Sequence, residues 1–339
     1  MSLRAALAEQ AMNNEALGSP FTARVLRLLA DRIQPGTPLT DRMFAWQGDI
    51  GPYGDSLPLR LLGGLHALVL TGETPGLVAA YPPHEVDDVT LAAALDHALA
   101  HHQDTLNHWL DNPPQTNEIR RAAALITGGA WLAERFDLPV VMSELGASGG
   151  LNLAWDQYAL DTPAGRIGPA DAPVRLTPEW RGNPPPTGRL NITDRRGVDL
   201  KPMDVRRNED ALRLMSYLWA DQVDRLERTR AALPLIGDWV DQGDAAAWLE
   251  DRLTGNTSDQ LQLIYHTVAW QYFPAETQAR CLAAMEAAGD RGPVARLSME
   301  ADDQRGQGAA ITVTLWPGRK VIPLGRVDFH GRWVDWRAS

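Results

Sequence analysis

The chain has 339 residues and a formal net charge of −11, a length that suits about two domains and a core needing no covalent staples. So negative a field repels phosphates, which argues against a protein that coats nucleic acid or an anionic membrane and favours a small-molecule or protein substrate. The single cysteine, Cys281, excludes an internal disulfide and a thiolate metal cluster, and such usage suits a reducing cytoplasm.

The N-terminal stretch MSLRAALAEQAMNNEALGSP lacks the apolar core of a signal peptide, and the longest apolar run, LPLRLLGGLHALVL, is cut by Arg60 and His66, so a cytoplasmic chain with no membrane partner is expected. From residue 1 to about 136 the pattern is helical, with apolar residues three and four apart over 21–33, 57–70, 89–110 and 118–135. Turn chemistry at Pro35-Gly36, Gly51-Pro52, Pro75-Gly76, Pro82-Pro83 and Pro113-Pro114 separates these segments. An all-helical cap domain over 1–136 is predicted. His97, His101, His102 and His108 share one helical segment, but no H-E-x-x-H accompanies them, and they read as a solvated face. Gln115, Thr116, Asn117 and Glu118 open the last helix, either as its cap or as polar groups facing a pocket between cap and sheet.

After Pro139 short apolar runs alternate with helical segments, the pattern of a parallel sheet with crossover helices. Seven strands are predicted, at 140–144, 196–200, 235–240, 261–267, 294–300, 310–316 and 325–330. The last two have no room for a helix between them and should pair as an antiparallel hairpin across Pro317-Gly318. The fold class is therefore α/β, a Rossmann-like, mostly parallel sheet over 137–339, interrupted by a Pro- and Gly-rich flap at about 161–193. Trp219, Asp221, Gln222 and Arg225 are expected on one helical face, as a clamp between domains.

The run VVMSELGASGGLNL reads as strand, glycine-rich turn and helix start. Small residues at Gly146, Ala147, Ser148 and Gly150, with Asn152 just beyond, allow a ligand close to the backbone, and free amides at a helix start favour anionic groups. Glu144, at the strand end, separates this turn from the dinucleotide fingerprint: its carboxylate repels a pyrophosphate and suits the ammonium of an amino acid. In RRGVDLKPMDV a strand ends at Asp199, where a doubly wound fold needs an acid for ribose hydroxyls; a helix N-cap is the other reading. Asp244 stands where such folds bind an adenine amino group, or again caps a helix. The run LQLIYHTVAWQYFP emerges at the carboxyl edge, offering His266 as a general base and Trp270 and Tyr272 as a frame for the accepting group.

Taken together, E-L-G-A-S-G-G, G-V-D-L-K-P, Q-G-D-A and the closing hairpin resemble the class I S-adenosylmethionine-dependent methyltransferases over roughly 139–336. That resemblance implies S-adenosylmethionine as cofactor and a final strand inserted antiparallel into the sheet. It also places Glu144 at the methionine end, Gly146 to Gly150 along the cofactor, Asp199 at the ribose and Asp244 at the adenine. Across nearly its full length the chain also resembles the bacterial family called domain of unknown function 2332. GSPFTARVLRLLA, QTNEIRRAAAL, SELGASGGLNLAWDQY, GVDLKPMDV, HTVAWQYFP and HGRWVDW carry this second resemblance. The expected function is methyl transfer to a small-molecule or protein acceptor, resting on proximity and in-line orientation. The competing expectation is a binding or scaffold protein that kept the fold without turnover.

Overall fold

A computed structural model describes residues 1–52 and 54–338, and the chain divides into two compact units. One comprises Met1–Thr116 with Arg207–Thr229, the other Asn117–Arg206 with Arg230–Ser339. Relative to the sequence boundary at 136, helix Ala122–Ala133 thus belongs with the sheet, and a later segment, Arg207–Thr229, joins the helical unit.

The first unit is helical because its caps and apolar spacing agree. Ser2 accepts from the Ala5 amide at the start of Leu3–Ala16, Thr37 and Thr40 close a reciprocal capping box on Pro38–Phe44, and Asp87 accepts from Thr90 in front of Asp88–His101. Pro20–Arg32 and Leu57–Thr71 supply much of the buried leucine of its core. The predicted helix over 89–110 is two helices, Asp88–His101 and Gln103–Asp111, broken at His102, whose ring bonds the Thr74 hydroxyl at 3.0 Å. The expected clamp is not on one helical face: Trp219, Asp221 and Gln222 lie in the link between helices Asn208–Ser216 and Val223–Ala232. Asp221 instead holds the start of Pro20–Arg32, accepting from the Phe21 amide at 2.9 Å and from the Ser19 hydroxyl.

The second unit is mixed α/β around a large, mostly parallel sheet. In chain order its strands are β1 (Pro139–Leu145), β2 (Ala159–Thr162), β3 (Gly165–Ile167), β4 (Arg175–Leu176), β5 (Glu179–Gly182) and β6 (Asn191–Asp199). They continue with β7 (Val240–Gln242), β8 (Leu261–Thr267), β9 (Val294–Glu300), β10 (Ala309–Trp316), β11 (Lys320–Val327) and β12 (Trp333–Trp336). Among the described residues the main sheet has nine strands, not the seven expected, in the order β5-β12-β11-β10-β9-β8-β1-β6-β7. The stretch from β9 to β7 is parallel throughout, with Glu144 in register with Gly197 on one side and Tyr265 on the other.

Three sequence expectations change. The β10–β11 hairpin forms, but no final strand is inserted: β9, β10, β11 and β12 follow one another as an antiparallel meander. The strand expected at 235–240 is only Val240–Gln242, because Pro234 draws Leu233–Leu235 into a single 3-10 turn. The flap splits in two: β2, β3 and β4 form a small separate sheet, while β5 pairs parallel with β12 at the far edge of the main one. No helix among the described residues is long and apolar enough to cross a membrane.

Candidate site at the carboxyl edge of the sheet

After β1 the chain moves outward through β6 and β7, then returns past β1 to β8 and β9. The direction of winding therefore reverses between β1 and β8, and the crevice at the carboxyl ends of these two strands is where open α/β sheets bind ligands. Glu144, the turn Gly146 to Gly150, Asp199 and the segment leaving β8 all meet at that edge.

The turn is strapped to β6. Gly146 and Ala147 donate their amides to the Val198 carbonyl at 2.9 and 3.1 Å, Ser148 donates to Asp199 Oδ2 at 2.9 Å, and Gly150 to the Ala147 carbonyl at 2.8 Å. Gly146 and Gly150 both have φ of +75°, and Ser148 has φ of +54° in the same left-handed region. A Cβ on Gly146 would stand 2.7 Å from the Ala269 Cβ, and one on Gly150 2.9 Å from Val240 Cγ2. These glycines thus make room for neighbours within the unit.

The helix expected after the turn is a seven-residue 3-10 helix, Leu151–Gln157, and its first amide is taken: Leu151 donates to Asn117 Oδ1 at 2.7 Å. The first of the expected free amides is therefore not on offer to an anion. Asn117 and Glu118 belong to the polar cluster noted in the sequence, and both lie in this unit. Glu118 accepts from the Arg120 amide with Oε1 at 3.1 Å, and its carbonyl receives Asn152 Nδ2 at 3.4 Å. Tyr265 donates to the Asn152 carbonyl at 3.1 Å.

Glu144 is 1% exposed, and its Oε2 has no hydrogen-bond partner. Burial first, and then the charge of Asp199, push its carboxyl well above the usual range against the opposing pull of Arg121 and Tyr265, so the protonated form is favoured. Ser148 Oγ and Asn152 Oδ1 are buried and unpartnered as well. With Asn152 Nδ2 committed to Glu118, the unpartnered Asn152 oxygen is an acceptor; those of Glu144, once ionised, and of Ser148 can also accept. An ammonium group, with several N–H donors, would suit acceptors of this kind.

His266 does not have the chemistry of a free base. The ring is fully buried, with Nδ1 2.6 Å from Glu300 Oε1, while Nε2 receives Arg296 Nε at 2.9 Å. Its neutral tautomer therefore spends both nitrogens, and burial lowers its pKa. It stacks on Trp270, whose ring also meets Phe273 and the Arg296 guanidinium, the latter 4.0 Å from the ring centroid; burial pushes Arg296 down to about 10. Tyr272 is 74% exposed on the 3-10 turn Trp270–Tyr272. Asp244 caps helix Ala245–Arg252, accepting from Ala246 and Ala247 at 3.1 and 3.0 Å, with Thr277 at 3.4 Å on its second oxygen. The N-cap alternative thus describes its contacts, and Asp199 combines a turn-holding role with its place at the crevice.

Sequence reasoning missed Tyr265, Arg121 and Glu300. Arg121 donates to the Thr267 carbonyl at 3.1 Å and the Phe329 carbonyl at 3.0 Å, and Glu300 accepts from the Ala269 and Trp270 amides at 3.0 and 3.1 Å. Only the placement of Tyr265 one residue before His266, and so on the opposite face of β8, was open to inference. No cluster of three or more potential metal ligands is found among the described residues.

No curated protein and no solved structure matches the chain. A family model described as an uncharacterised protein conserved in bacteria, domain of unknown function 2332, matches residues 4–336, and the chain belongs to that family.

Proposed function

We propose that this edge binds S-adenosylmethionine and that the protein is a cytoplasmic methyltransferase with a Rossmann-like, class I-type core, acting on a small-molecule or protein acceptor. The observation that carries the reading is the set of buried, unpartnered oxygens on Glu144, Ser148 and Asn152 at the point where the winding of the sheet reverses. Glu144 and Asn152 would hold the amino-acid end, and the turn Gly146 to Gly150 would line the cofactor. Asp199 would face the ribose, with lone pairs left beyond the amides of Ser148 and Lys201 that it already accepts. Asp244 would reach an adenine only through whatever its capping bonds leave open.

The bound sulfonium supplies both methyl group and leaving group, so the residues of this chain orient the reactants and exclude water. Calorimetry with S-adenosylmethionine and S-adenosylhomocysteine tests the reading. Binding that weakens at least tenfold in Asp199→Ala and Glu144→Ala supports it, and no binding to the wild type rejects it. A second reading, binding without turnover, is favoured by the saturated ring of His266; binding with no transfer across an acceptor panel would select it.

A further inference from the structure

The three acceptors of the crevice are shielded from solvent: Glu144 Oε2, Ser148 Oγ and Asn152 Oδ1 are all buried. A ligand reaches them only if some part of the edge moves aside. The glycine-rich turn is held by its bonds to β6, and β8 is buried along its whole length. The segment that leaves β8 differs. Over 268–276 no residue is buried, so displacing its start uncovers little apolar surface of its own. Yet this segment lies directly on the turn: the Cβ position of Gly146 is 2.7 Å from the Ala269 Cβ and 3.8 Å from two ring atoms of Phe273.

The Tyr272 amide donates to the Ala269 carbonyl and the Phe273 amide to the Trp270 carbonyl, both at 3.0 Å, which ties residues 269–273 into one short turn able to move as a piece. Two side chains from outside fasten that piece. Glu300 Oε1 takes the amides of Ala269 and Trp270, and Gln278 Nε2, on helix Ala275–Gly289, donates to the carbonyls of Trp270 and Phe273 at 2.9 and 3.1 Å. The stack of Trp270 on His266 adds a third hold. At the β8 end stands Val268, a β-branched residue at φ of +53°, so the closed arrangement is strained at the point about which it turns. We infer that residues 269–273 form a lid over the buried acceptors, hinged at Val268 and latched by Glu300 and Gln278, and that a ligand enters only while it is open. Resting on the cofactor reading, this makes opening of the lid the step that limits S-adenosylmethionine binding. Strain at Val268 favours opening and the latches oppose it, so substitutions at the hinge and at the latches act in opposite directions.

The lid is tested first without a ligand, in the full-length protein. Ser148→Cys places a thiol at one of the buried acceptors, and its labelling by an aromatic disulfide reagent reads how often the crevice opens. The native Cys281, buried in helix Ala275–Gly289, is the internal control for global unfolding. In that background Glu300→Ala should speed labelling at position 148 by about tenfold or more, since two amides lose a charged acceptor. Gln278→Ala should speed it by less, and it carries the test should the first variant fail to fold. Val268→Asn, which puts a residue tolerant of the left-handed region at the hinge, should slow labelling by about threefold or more. Labelling at position 148 that ignores both latch variants, or that rises only in step with labelling of Cys281, overturns the lid. The latch and hinge variants, with Ser148 restored, are then mixed with S-adenosylhomocysteine in stopped-flow fluorescence. Faster association in the latch variants and slower association in Val268→Asn support control of ligand entry, and rates equal to the wild type overturn it. If S-adenosylhomocysteine binds to none of these proteins, the cofactor reading falls and the lid is judged on thiol labelling alone.

Discussion

Glu300 Oε1 takes the Nδ1 proton of His266 at 2.6 Å and, through the same oxygen, the amides of Ala269 and Trp270. One carboxylate therefore fixes the segment that leaves β8, and the need for that anchor is visible in its first residue. Val268 has φ of +53°, a left-handed conformation that a β-branched residue rarely adopts and that costs on the order of 1–3 kcal/mol. The strained turn it begins is the one whose Ala269 methyl group closes over Gly146.

Removing that anchor should loosen the turn before it unfolds the sheet. Glu300→Ala is expected to lower stability by about 2–4 kcal/mol, since it strands two amides and a ring N–H. It should also speed hydrogen exchange at Ala269 and Trp270 far more than within β8. Glu300→Gln keeps an accepting oxygen and should retain most of both. Denaturant titration and exchange read by mass spectrometry check the pair of variants, and equal exchange in all three proteins would remove the clamp.

The same pair sets an acid sensitivity. Burial keeps His266 neutral in the folded chain, so the unfolded chain binds the extra proton as pH falls below about 6.5, and stability declines there. Burial alone would raise Glu300, but the bond from His266 and the two amides outweigh it and lower its pKa; its contribution, present above the unfolded carboxylate value, is lost at more acidic pH. Urea melts should therefore show stability falling from about pH 6.5 downward, with the first part of that slope absent in His266→Gln.

Glu144 works in the opposite direction. Its folded pKa is raised, so the folded chain binds more protons than the unfolded one above about pH 4.3, and stability is lost as pH rises towards the folded value. Glu144→Gln should melt less pH-dependently and should be more stable than the wild type at pH 8, by on the order of 1 kcal/mol or more. A cationic ligand favours the ionised form. Ligand affinity in the wild type should accordingly rise with pH with release of a proton, which calorimetry in two buffers of different ionisation enthalpy detects.

What the sequence revealed follows burial and chain distance. β8 and β9 match their expected ends at 261–267 and 294–300, because central strands buried on both faces read as unbroken apolar runs. β5, with sequence EWRG, and the four-residue β12 carry no such run; they owe their place to pairing at the sheet edge. Leu151–Gln157 has helical spacing, yet Tyr158 is extended and its hydroxyl donates to the Leu151 carbonyl at 2.5 Å, which ends the helix after two short turns. Glu144 and Asp199 could be placed at the edge because each ends a strand. The saturation of His266 could not be read, since its partners Arg296 and Glu300 lie 30 and 34 residues away on the neighbouring strand.

The turn-holding bonds of Asp199 and its proposed contact with a ribose can be separated by substitution. Asp199→Asn keeps an oxygen for the Ser148 amide but removes the charge, whereas Asp199→Ala removes both. The alanine variant should lose about 1–2 kcal/mol of stability, and the asparagine variant much less. If the carboxylate faces a ribose, both should weaken S-adenosylhomocysteine binding at least tenfold by calorimetry. An asparagine variant that binds like the wild type would restrict Asp199 to holding the turn.

The turn itself offers two substitutions of opposite sign. Gly146→Ala forces an L-residue to φ of +75°, costing on the order of 1–2 kcal/mol, and pushes a methyl group to 2.7 Å from Ala269, where overpacking costs about 1–3 kcal/mol more. Ser148→Gly removes a non-glycine residue from φ of +54°, and its unpartnered hydroxyl contributes no bond in return, so it should be neutral or stabilising despite the freer unfolded chain. Adding Ala269→Gly to Gly146→Ala should recover the steric part of the loss and leave the conformational part. Thermal melts of the single and double variants separate the two contributions, because the contact couples only the two side chains. If Ala269→Gly restores nothing, the close approach between β1's turn and the segment after β8 is not what requires glycine at position 146.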